Sequence, residues 1–311
     1  MVKQLSELGE QLPCECIAVS SEHFLTSEDM LTKWFSSEKL PVMETFYRNM
    51  RRHYGILMEG SKPVSGKWNY DHDNREALKK DVPLPEPLVF ANDVTGIVER
   101  LRRHGIKSLG EITEQSGKYH LLWPVNRKQS QALLEHFLRY CLPQFGRYQD
   151  AMITSDKPQS WSLFHSRIAF SLNSKMLHPL DVINQALSHW QANPDAISLA
   201  QIEGFIRQIL GWREYMRAIY LVRMPEYAGL NFFNHQRALP DFFWHGETNM
   251  SCVRHAIRQS LEYGYAHHIQ RLMVTGNFAL LSGCSPDDVD QWYLVFTWMP
   301  LNGPKSPTPG G

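Results

Sequence analysis

The 311-residue chain lacks a hydrophobic run long enough to cross a bilayer and lacks a signal-peptide pattern at its first residues. It also lacks an excess of charge, because 32 lysines and arginines balance 32 aspartates and glutamates. Cysteine is scarce, and the five residues form no CxxC pair. These absences argue against a membrane protein and a disulfide framework, and we expect a cytoplasmic monomer without a membrane partner. Any polyanion site has to come from the local arrangement of charge.

Aromatic residues, in contrast, are plentiful, with 9 tryptophans, 12 tyrosines and 15 phenylalanines. A chain of this length can bury a sizeable core in one large or two ordinary domains. The aromatic content suits an aromatic ligand, although a thick hydrophobic core uses the same residues.

The first predicted elements are a short strand over residues 14–20 and an amphipathic helix over residues 27–39, with Thr26 or Ser27 as the N-cap. One strand and one helix cannot close a sheet, so we expect the rest of an N-terminal α/β portion to be missing. A basic, aromatic helix follows over residues 40–54.

The next segment, residues 61–78, is polar and aromatic, and its composition alone is typical of a surface linker. A proline-rich break at residues 83–87 separates it from a mostly helical remainder. Apolar residues at helical spacing there predict a mainly α protein. The windows are residues 92–104, residues 130–141 behind the cap residue Asn126, and residues 202–220.

Residues 263–281 carry two adjacent histidines, His267 and His268, one arginine, Arg271, and almost no other charge. This composition predicts a helix that is buried along most of its length, whose polar residues need partners inside the protein. Buried polar groups of this kind either form a hydrogen-bonded network within the core or line a binding site. The sequence of this stretch alone is compatible with both.

Two further patterns indicate anion binding, each with a structural alternative. Residues 163–179 place His165, Ser166 and Arg167 before an apolar stretch, as in an anion cradle or a simple N-cap. Residues 204–272 contain eight arginines and no lysine. Arginine without lysine favours bidentate contacts with phosphate or carboxylate, but intramolecular salt bridges would explain it equally well.

Several motifs together resemble the photolyase/cryptochrome superfamily. The segment from residue 246 to residue 273 is similar to the flavin-binding helical domain of this superfamily. The form that the motifs take in this sequence resembles the bacterial iron–sulfur branch, which contains the prokaryotic (6-4) photolyases, also called deoxyribodipyrimidine photolyase-related proteins. The matches run in order from about residue 44 to residue 294. They include GKWNYDHDNR at 66–75, FGRYQDAM at 145–152, GWREYMR at 211–217 and AHHIQRLMVTGNFALL at 266–281.

The resemblance implies a photolyase-type helical domain that holds FAD, with the light-excited, reduced flavin giving an electron to a (6-4) lesion in UV-damaged DNA. It implies that His267 and His268 form the catalytic pair that protonates or hydrogen-bonds the lesion. Ala169 departs from the pattern, because many relatives have serine there. The implied cofactor-binding residues are His165, Ser166, Trp212, Arg213 and Arg271.

The resemblance also implies an aromatic electron path through Trp292, Tyr293 and Trp244. Cys252 takes the position of the first of four cysteines that hold a four-iron–four-sulfur cluster. The other three cysteines, and the domain that carries a lumazine-type antenna, are expected to be absent from this chain. We therefore expect an impaired fragment with weak or no flavin binding and poor solubility.

The predicted organisation has four parts: an α/β remnant at 1–39, a connecting helix and linker at 40–87, a partial FAD-binding helical domain at 88–294, and a non-family tail at 295–311. The proline and glycine of the tail cannot continue a helix. In a shifted frame, the codons of Trp298, Met299 and Pro300 encode Asp-Ala, which resembles the family's continuation. We hypothesise a frameshift near codon 295, and nucleotide sequence without these codons would overturn it.

Two rival functions stay open at this stage. One is a cryptochrome-type blue-light photoreceptor, and repair of a (6-4) lesion would argue against it. The other is a flavin-free helical nucleic-acid-binding module that uses the arginine-rich helices alone. Salt-sensitive DNA binding without flavin would favour this second alternative.

Overall fold

The computed structural model describes residues 21–35, 42–106, 108–153 and 157–296, which fold into a mainly helical protein. The predicted fold class is therefore confirmed. The strand predicted over residues 14–20 and the tail beyond residue 296 lie outside the described residues. The longer helices are Glu28–Trp34, Met43–Tyr54, Thr95–Arg103, Arg127–His136, Pro179–Ala192, Leu199–Ile206, Glu214–Arg223, Ser251–Tyr263 and Pro286–Phe296.

Two predicted helix starts are confirmed by their caps. The Ser27 hydroxyl accepts a hydrogen bond from the Met30 backbone N–H at 3.3 Å. The Asn126 side chain accepts one from the Gln129 N–H at 2.9 Å. These side-chain oxygens satisfy backbone donors that the first turn of a helix leaves unpaired.

A small three-stranded antiparallel sheet interrupts the helical pattern and was not predicted from the sequence. Ser116 and Gly117, with φ of 54° and 75°, form the two-residue turn between its two longer strands. Tight hairpin turns of this kind require positive φ, which glycine adopts readily. The sheet consists of Asn92–Asp93, Lys118–Leu121 in the centre and Thr113–Gln115, and a separate pair joins Met58–Glu59 to Lys62–Pro63.

Within the described residues, three π-helical turns extend neighbouring helices. Pro143 lies two residues after the end of the first turn. It lacks an N–H, and its ring crowds the carbonyl four residues earlier, that of Arg139 within the turn, so the backbone widens there. The second joins Leu199–Ile206 to Glu214–Arg223, so the helix predicted over 202–220 is one continuous stretch. The turns are Phe137–Cys141, Arg207–Arg213 and Gln270–Gly276.

Two hydrophobic clusters hold these elements together. The larger includes residues of the Met43–Tyr54 and Leu199–Ile206 helices. The smaller is built around Phe243, Ile257 and Trp292, and it packs the last helix against its neighbours. Of the helices in the described ranges, none combines the length and the apolar character needed to span a membrane.

The prediction of a single buried helix over residues 263–281 is wrong in two respects. The preceding helix ends at Gly264, which adopts φ 61° as a left-handed cap, and the chain becomes helical again at His268. Burial is also less complete than the low charge predicted, because Met273 is 52% and Leu281 86% exposed. Low charge alone does not reveal whether a neighbouring element covers a helix.

The motifs at residues 66–75 and 145–152 contact each other and the Leu199–Ile206 helix around one buried side chain, Asn74. Its Nδ2 donates to the Ala200 carbonyl at 2.9 Å. A Cβ at Gly204 would lie 2.8 Å from Asn74 Nδ2, and one at Gly146 would lie 3.0 Å from Asn74 Oδ1. The glycines therefore allow the backbone to approach this amide closely, which assigns a structural role to these parts of the motifs.

Replacing Gly204 with alanine is expected to lower the free energy of unfolding by about 1–3 kcal/mol, because the methyl group would overlap the Asn74 amide. Gly96→Ala is the matched control, since nothing lies within 4 Å of its added Cβ. Alanine there should be neutral or stabilising by up to about 1 kcal/mol. Urea denaturation measures both, and an unchanged midpoint for Gly204→Ala would show that Asn74 can move aside.

Candidate functional site

The structure brings two of the predicted histidines into contact. The rings of His165 and His267 stack with their centroids 4.6 Å apart and their planes at 15°. His165 Nε2 and His267 Nδ1 are buried and have no hydrogen-bond partner among the described residues. Buried ring nitrogens without partners cost free energy, so they mark a place where a bound molecule would supply the missing partners.

The surroundings hold the imidazoles in their neutral form. Burial, and then the nearby His268, lowers the pKa of His165 to about 4. Burial, and then the charges of His165, Arg271 and His268, lowers the pKa of His267 well below its ordinary value. His268 is more exposed than the other two histidines, and partial burial, then the charge of Arg271, also lowers its pKa. All three side chains are therefore neutral at pH 7 in this state of the protein.

This arrangement predicts acid sensitivity. Above about pH 6.5 both the folded and the unfolded chain carry neutral histidines, so the full stability is present. As the pH falls toward 4, the unfolded chain gains protons that the folded chain resists, and His165 alone lowers the free energy of unfolding by about 3 kcal/mol.

The measurement is urea unfolding over a series of pH values. His165→Phe keeps an aromatic ring against His267 but cannot titrate, so we expect it to remove part of the slope between pH 6.5 and 4. Replacement of the exposed His255 with glutamine is the control and should leave the slope unchanged. An identical slope in His165→Phe and the unchanged protein would contradict the assignment.

A buried arginine follows the first histidine closely in sequence. Arg167 is 6% exposed, and its guanidinium carbon lies 4.9 Å from the ring centroid of Trp161. Tyr263 stacks on the same indole at 4.5 Å. Within the described ranges, no carboxylate or hydrogen-bond acceptor pairs with this guanidinium. Its backbone has φ 56°, an uncommon conformation for a residue with a side chain.

Tyr265 lies near both Arg167 and Arg271. Burial raises the pKa of its phenol, and the positive charges of the two guanidiniums oppose that increase. Arg271 Nε is also buried without a partner among the described residues. Two arginines and three histidines thus surround one region, and none of the five side chains pairs with a carboxylate in the part of the chain that the structure describes. Unpaired guanidiniums and ring nitrogens favour an anionic ligand with several acceptor oxygens.

Ser166 lies between His165 and Arg167 and is partly exposed. The next helix, Ala169–Asn173, has only five residues, and its N-cap is Ile168 without a side-chain hydrogen bond. The alternative that His165 or Ser166 is a simple N-cap is therefore wrong. Their role toward a cofactor stays a prediction.

Trp212 and Arg213 contact another part of the molecule. Arg213 donates to Glu214 Oε1 at 2.7 Å and to the His23 carbonyl at 3.2 Å, and its guanidinium lies 4.1 Å from the Phe24 ring centroid. Trp212 is 44% exposed. For Arg213 these contacts fit the alternative of intramolecular salt bridges, and a cofactor role for the pair stays a prediction.

The predicted aromatic path is partly assembled. Trp292 and Tyr293 are buried with their rings 5.1 Å apart, and the Tyr293 hydroxyl donates to the Arg271 carbonyl at 2.7 Å. Trp244 is 36% exposed and follows Phe243, whose ring lies 5.2 Å from Trp292. Tyr293 is therefore hydrogen-bonded to the backbone of Arg271, Trp292 contacts Tyr293, and Trp244 lies at the surface. An electron path through these residues stays a prediction.

Cys252 is exposed in the first turn of the Ser251–Tyr263 helix. The other cysteines in the described ranges, Cys141 and Cys284, are buried. Those ranges contain no group of three or more histidine, cysteine or acidic side chains that could hold a metal ion. The described residues thus do not fit a four-ligand cluster, and a metal role for Cys252 stays a prediction.

The sequence placed Arg167 in a candidate anion cradle but not among the predicted cofactor-binding residues, and it did not indicate Trp161 or Tyr265. The sequence offered one signal for a buried arginine. The His-Ser-Arg sequence stands directly before an apolar stretch, so its arginine lies where the chain enters the hydrophobic core. Nothing in the local pattern shows that this arginine is buried without a counter-ion, because that depends on residues far away in the chain.

Comparisons with known proteins add independent information. The first 116 residues match the family model described as deoxyribodipyrimidine photo-lyase-related protein. A (6-4) photolyase of Agrobacterium fabrum is 40% identical over 289 residues, which are 91% of this chain and 55% of that protein. An uncharacterized protein of Acanthamoeba polyphaga mimivirus is 33% identical over 118 residues, which are 38% of this chain and 85% of that protein.

The crystal structure of a bacterial class III photolyase from Agrobacterium tumefaciens is similar with a TM-score of 0.47 and 18% identity, over 60% of this chain and 36% of that one. The sequence matches show that most of the chain is similar to a protein of the photolyase class. The match to the deoxyribodipyrimidine photo-lyase-related family model covers residues 1–116, and the 40% identity to the (6-4) photolyase extends the similarity over most of the chain, as its motifs indicated. It spans about half the length of the (6-4) photolyase that it matches.

Proposed function

We propose that this chain carries the flavin- and lesion-facing helical part of a light-driven, FAD-dependent photolyase for (6-4) photoproducts in UV-damaged DNA. One observation carries the proposal: buried basic groups without counter-ions converge around the stacked His165 and His267. The 40% identity to a (6-4) photolyase over most of the chain supports the choice of cofactor and substrate.

The groups present fit FAD by their chemistry. Arg167 and Ser166 offer a guanidinium and a hydroxyl to the diphosphate, whose oxygens accept charge-assisted hydrogen bonds. His165 Nε2, His267 Nδ1 and Arg271 Nε, which lack partners among the described residues, would meet the remaining polar atoms. When bound, FAD would supply a light-excited electron donor.

The histidines would hold or move a proton at the lesion. Without a ligand, burial and Arg271 keep the pKa values of His267 and His268 below the ordinary value. An anionic ligand beside them would raise these pKa values, because a nearby negative charge favours the imidazolium. Ligand binding would thereby convert neutral rings into proton donors at the pH of the cell.

Titration of the chain with FAD, followed by flavin fluorescence, is the first test, because weak binding would not survive purification. The second is a DNA-binding measurement with one (6-4) photoproduct against the same undamaged duplex. We expect saturable FAD binding and a preference for the damaged duplex. Free flavin throughout, together with equal and salt-sensitive binding of both duplexes, would overturn the proposal in favour of a flavin-free nucleic-acid-binding module.

A further inference from the structure

A second site is formed where the small sheet meets the end of a helix. The Glu111 N–H donates to the Leu261 carbonyl at 2.8 Å, and Trp123 Nε1 donates to the Tyr263 carbonyl at 2.9 Å. At Gly110, with φ +83°, an added Cβ would lie 2.7 Å from the Leu261 oxygen, so the turn and the helix end are in close contact. A cavity of about 140 Å³ lies between these two attachments.

The charge around this cavity is one-sided. Among the described residues that line it are two carboxylates, Glu111 and Glu262, and no lysine or arginine. The Ser251–Tyr263 helix ends there, and the carbonyl end of a helix carries a partial negative charge. The cavity therefore attracts a cation.

The walls of the cavity restrict the shape of that cation. Trp123 and Tyr263 provide aromatic surface, which favours a flat cation over a hydrated metal ion. His120 Nδ1, on the central strand, is buried and has no partner among the described residues. In the neutral ring with its proton on Nε2, this nitrogen accepts a hydrogen bond from an N–H donor.

The volume sets the size of the ligand. An engineered protein cavity of about 150 Å³ holds one benzene molecule, so the space here admits one ring or one guanidinium group. We propose that this cavity binds a small planar organic cation with N–H donors, of the amidinium, guanidinium or aminoheterocycle class. The proposal does not rest on the proposed photolyase function, although the cavity adjoins that site through Tyr263, which stacks on the Trp161 ring beneath Arg167.

The test uses the full chain labelled with ¹⁵N and benzamidinium as the probe, with neutral benzamide as its isostere. The Trp123 indole N–H signal, identified by its absence in Trp123→Phe, reports on the cavity wall. We expect benzamidinium to shift this signal with a Kd on the order of 1 mM or tighter, as for a fragment of this size. Benzamide should bind at least about tenfold more weakly, because it lacks the charge.

Variants of the two glutamates that line the cavity distinguish specific binding from a general attraction of the cation to negative surface charge. The double variant Glu111→Gln and Glu262→Gln should bind benzamidinium about tenfold more weakly. Glu114→Gln, an exposed residue of the same hairpin that does not line the cavity, is the matched control and should bind normally. No shift of the Trp123 signal, equal binding of benzamide, or an equal loss in Glu114→Gln would each overturn the proposal.

Discussion

Replacement of Arg167 with methionine is expected to weaken FAD binding by about 10- to 100-fold and, at the same time, to raise the melting temperature of the ligand-free protein. The two effects have opposite signs for one physical reason. A buried guanidinium without a counter-ion is a cost to the empty protein and a strong donor to an anionic ligand. Methionine keeps an unbranched side chain against the Trp161 ring but carries no charge.

Fluorescence titration with FAD and thermal unfolding without FAD measure the two effects on the same samples. Arg139→Met is the matched control, because Arg139 also lies over an aromatic ring, at 5.4 Å from the centroid of Tyr140, but is exposed. It should change neither quantity by more than about 0.5 kcal/mol. A loss of affinity and stability together in Arg167→Met would show that the arginine is structural and would refute its role as an anion ligand.

Replacement of Glu203 with leucine is expected to lower the free energy of unfolding by about 3–5 kcal/mol. Glu203 has no exposed surface, and its Oε2 accepts from Arg207 at 2.8 Å and from the Tyr70 N–H at 3.3 Å. Arg207 is 4% exposed, so the substitution would leave a cation in the interior with its main partner removed. Asp71 reaches the same guanidinium only at 4.0 Å.

The double variant Glu203→Leu and Arg207→Met should recover most of this loss, because replacing both members of a buried pair with apolar side chains is often neutral. Lys67→Ala is the control for an exposed ion pair, with Asp73 at 2.8 Å, and should cost at most about 1 kcal/mol. Urea denaturation measures all three variants. A double variant as unstable as Glu203→Leu alone would mean that packing, and not the unpaired charge, is responsible.

The arginine-rich region shows why composition could not choose between its two interpretations. Arg207 and Arg213 pair with Glu203 and Glu214, as the salt-bridge alternative predicts. Arg271, in the same region, has no such partner in the described part of the chain. The salt-bridge interpretation is therefore confirmed for Arg207 and Arg213, and anion binding at Arg271 stays a prediction.

Contacts between distant residues explain this limit. Glu214 accepts hydrogen bonds from the backbone of Leu25 and Thr26, which lie 189 and 188 positions earlier in the chain. No periodicity or spacing in a window of 10 to 20 residues contains that information. The small sheet escaped prediction for a related reason, since its three-residue and four-residue strands are too short to show an alternating pattern.

The sequence by itself determined the mainly α class, the helix starts at Ser27 and Asn126, and, through the order of its motifs, the similarity to the photolyase-related family. These features depend on local hydrogen bonding and on side-chain periodicity, which neighbouring residues specify. Only the tertiary structure decided which buried charges are paired and which are free to meet a ligand. That outcome depends on which distant groups share the low-dielectric interior, where a missing partner costs more than it does at the surface.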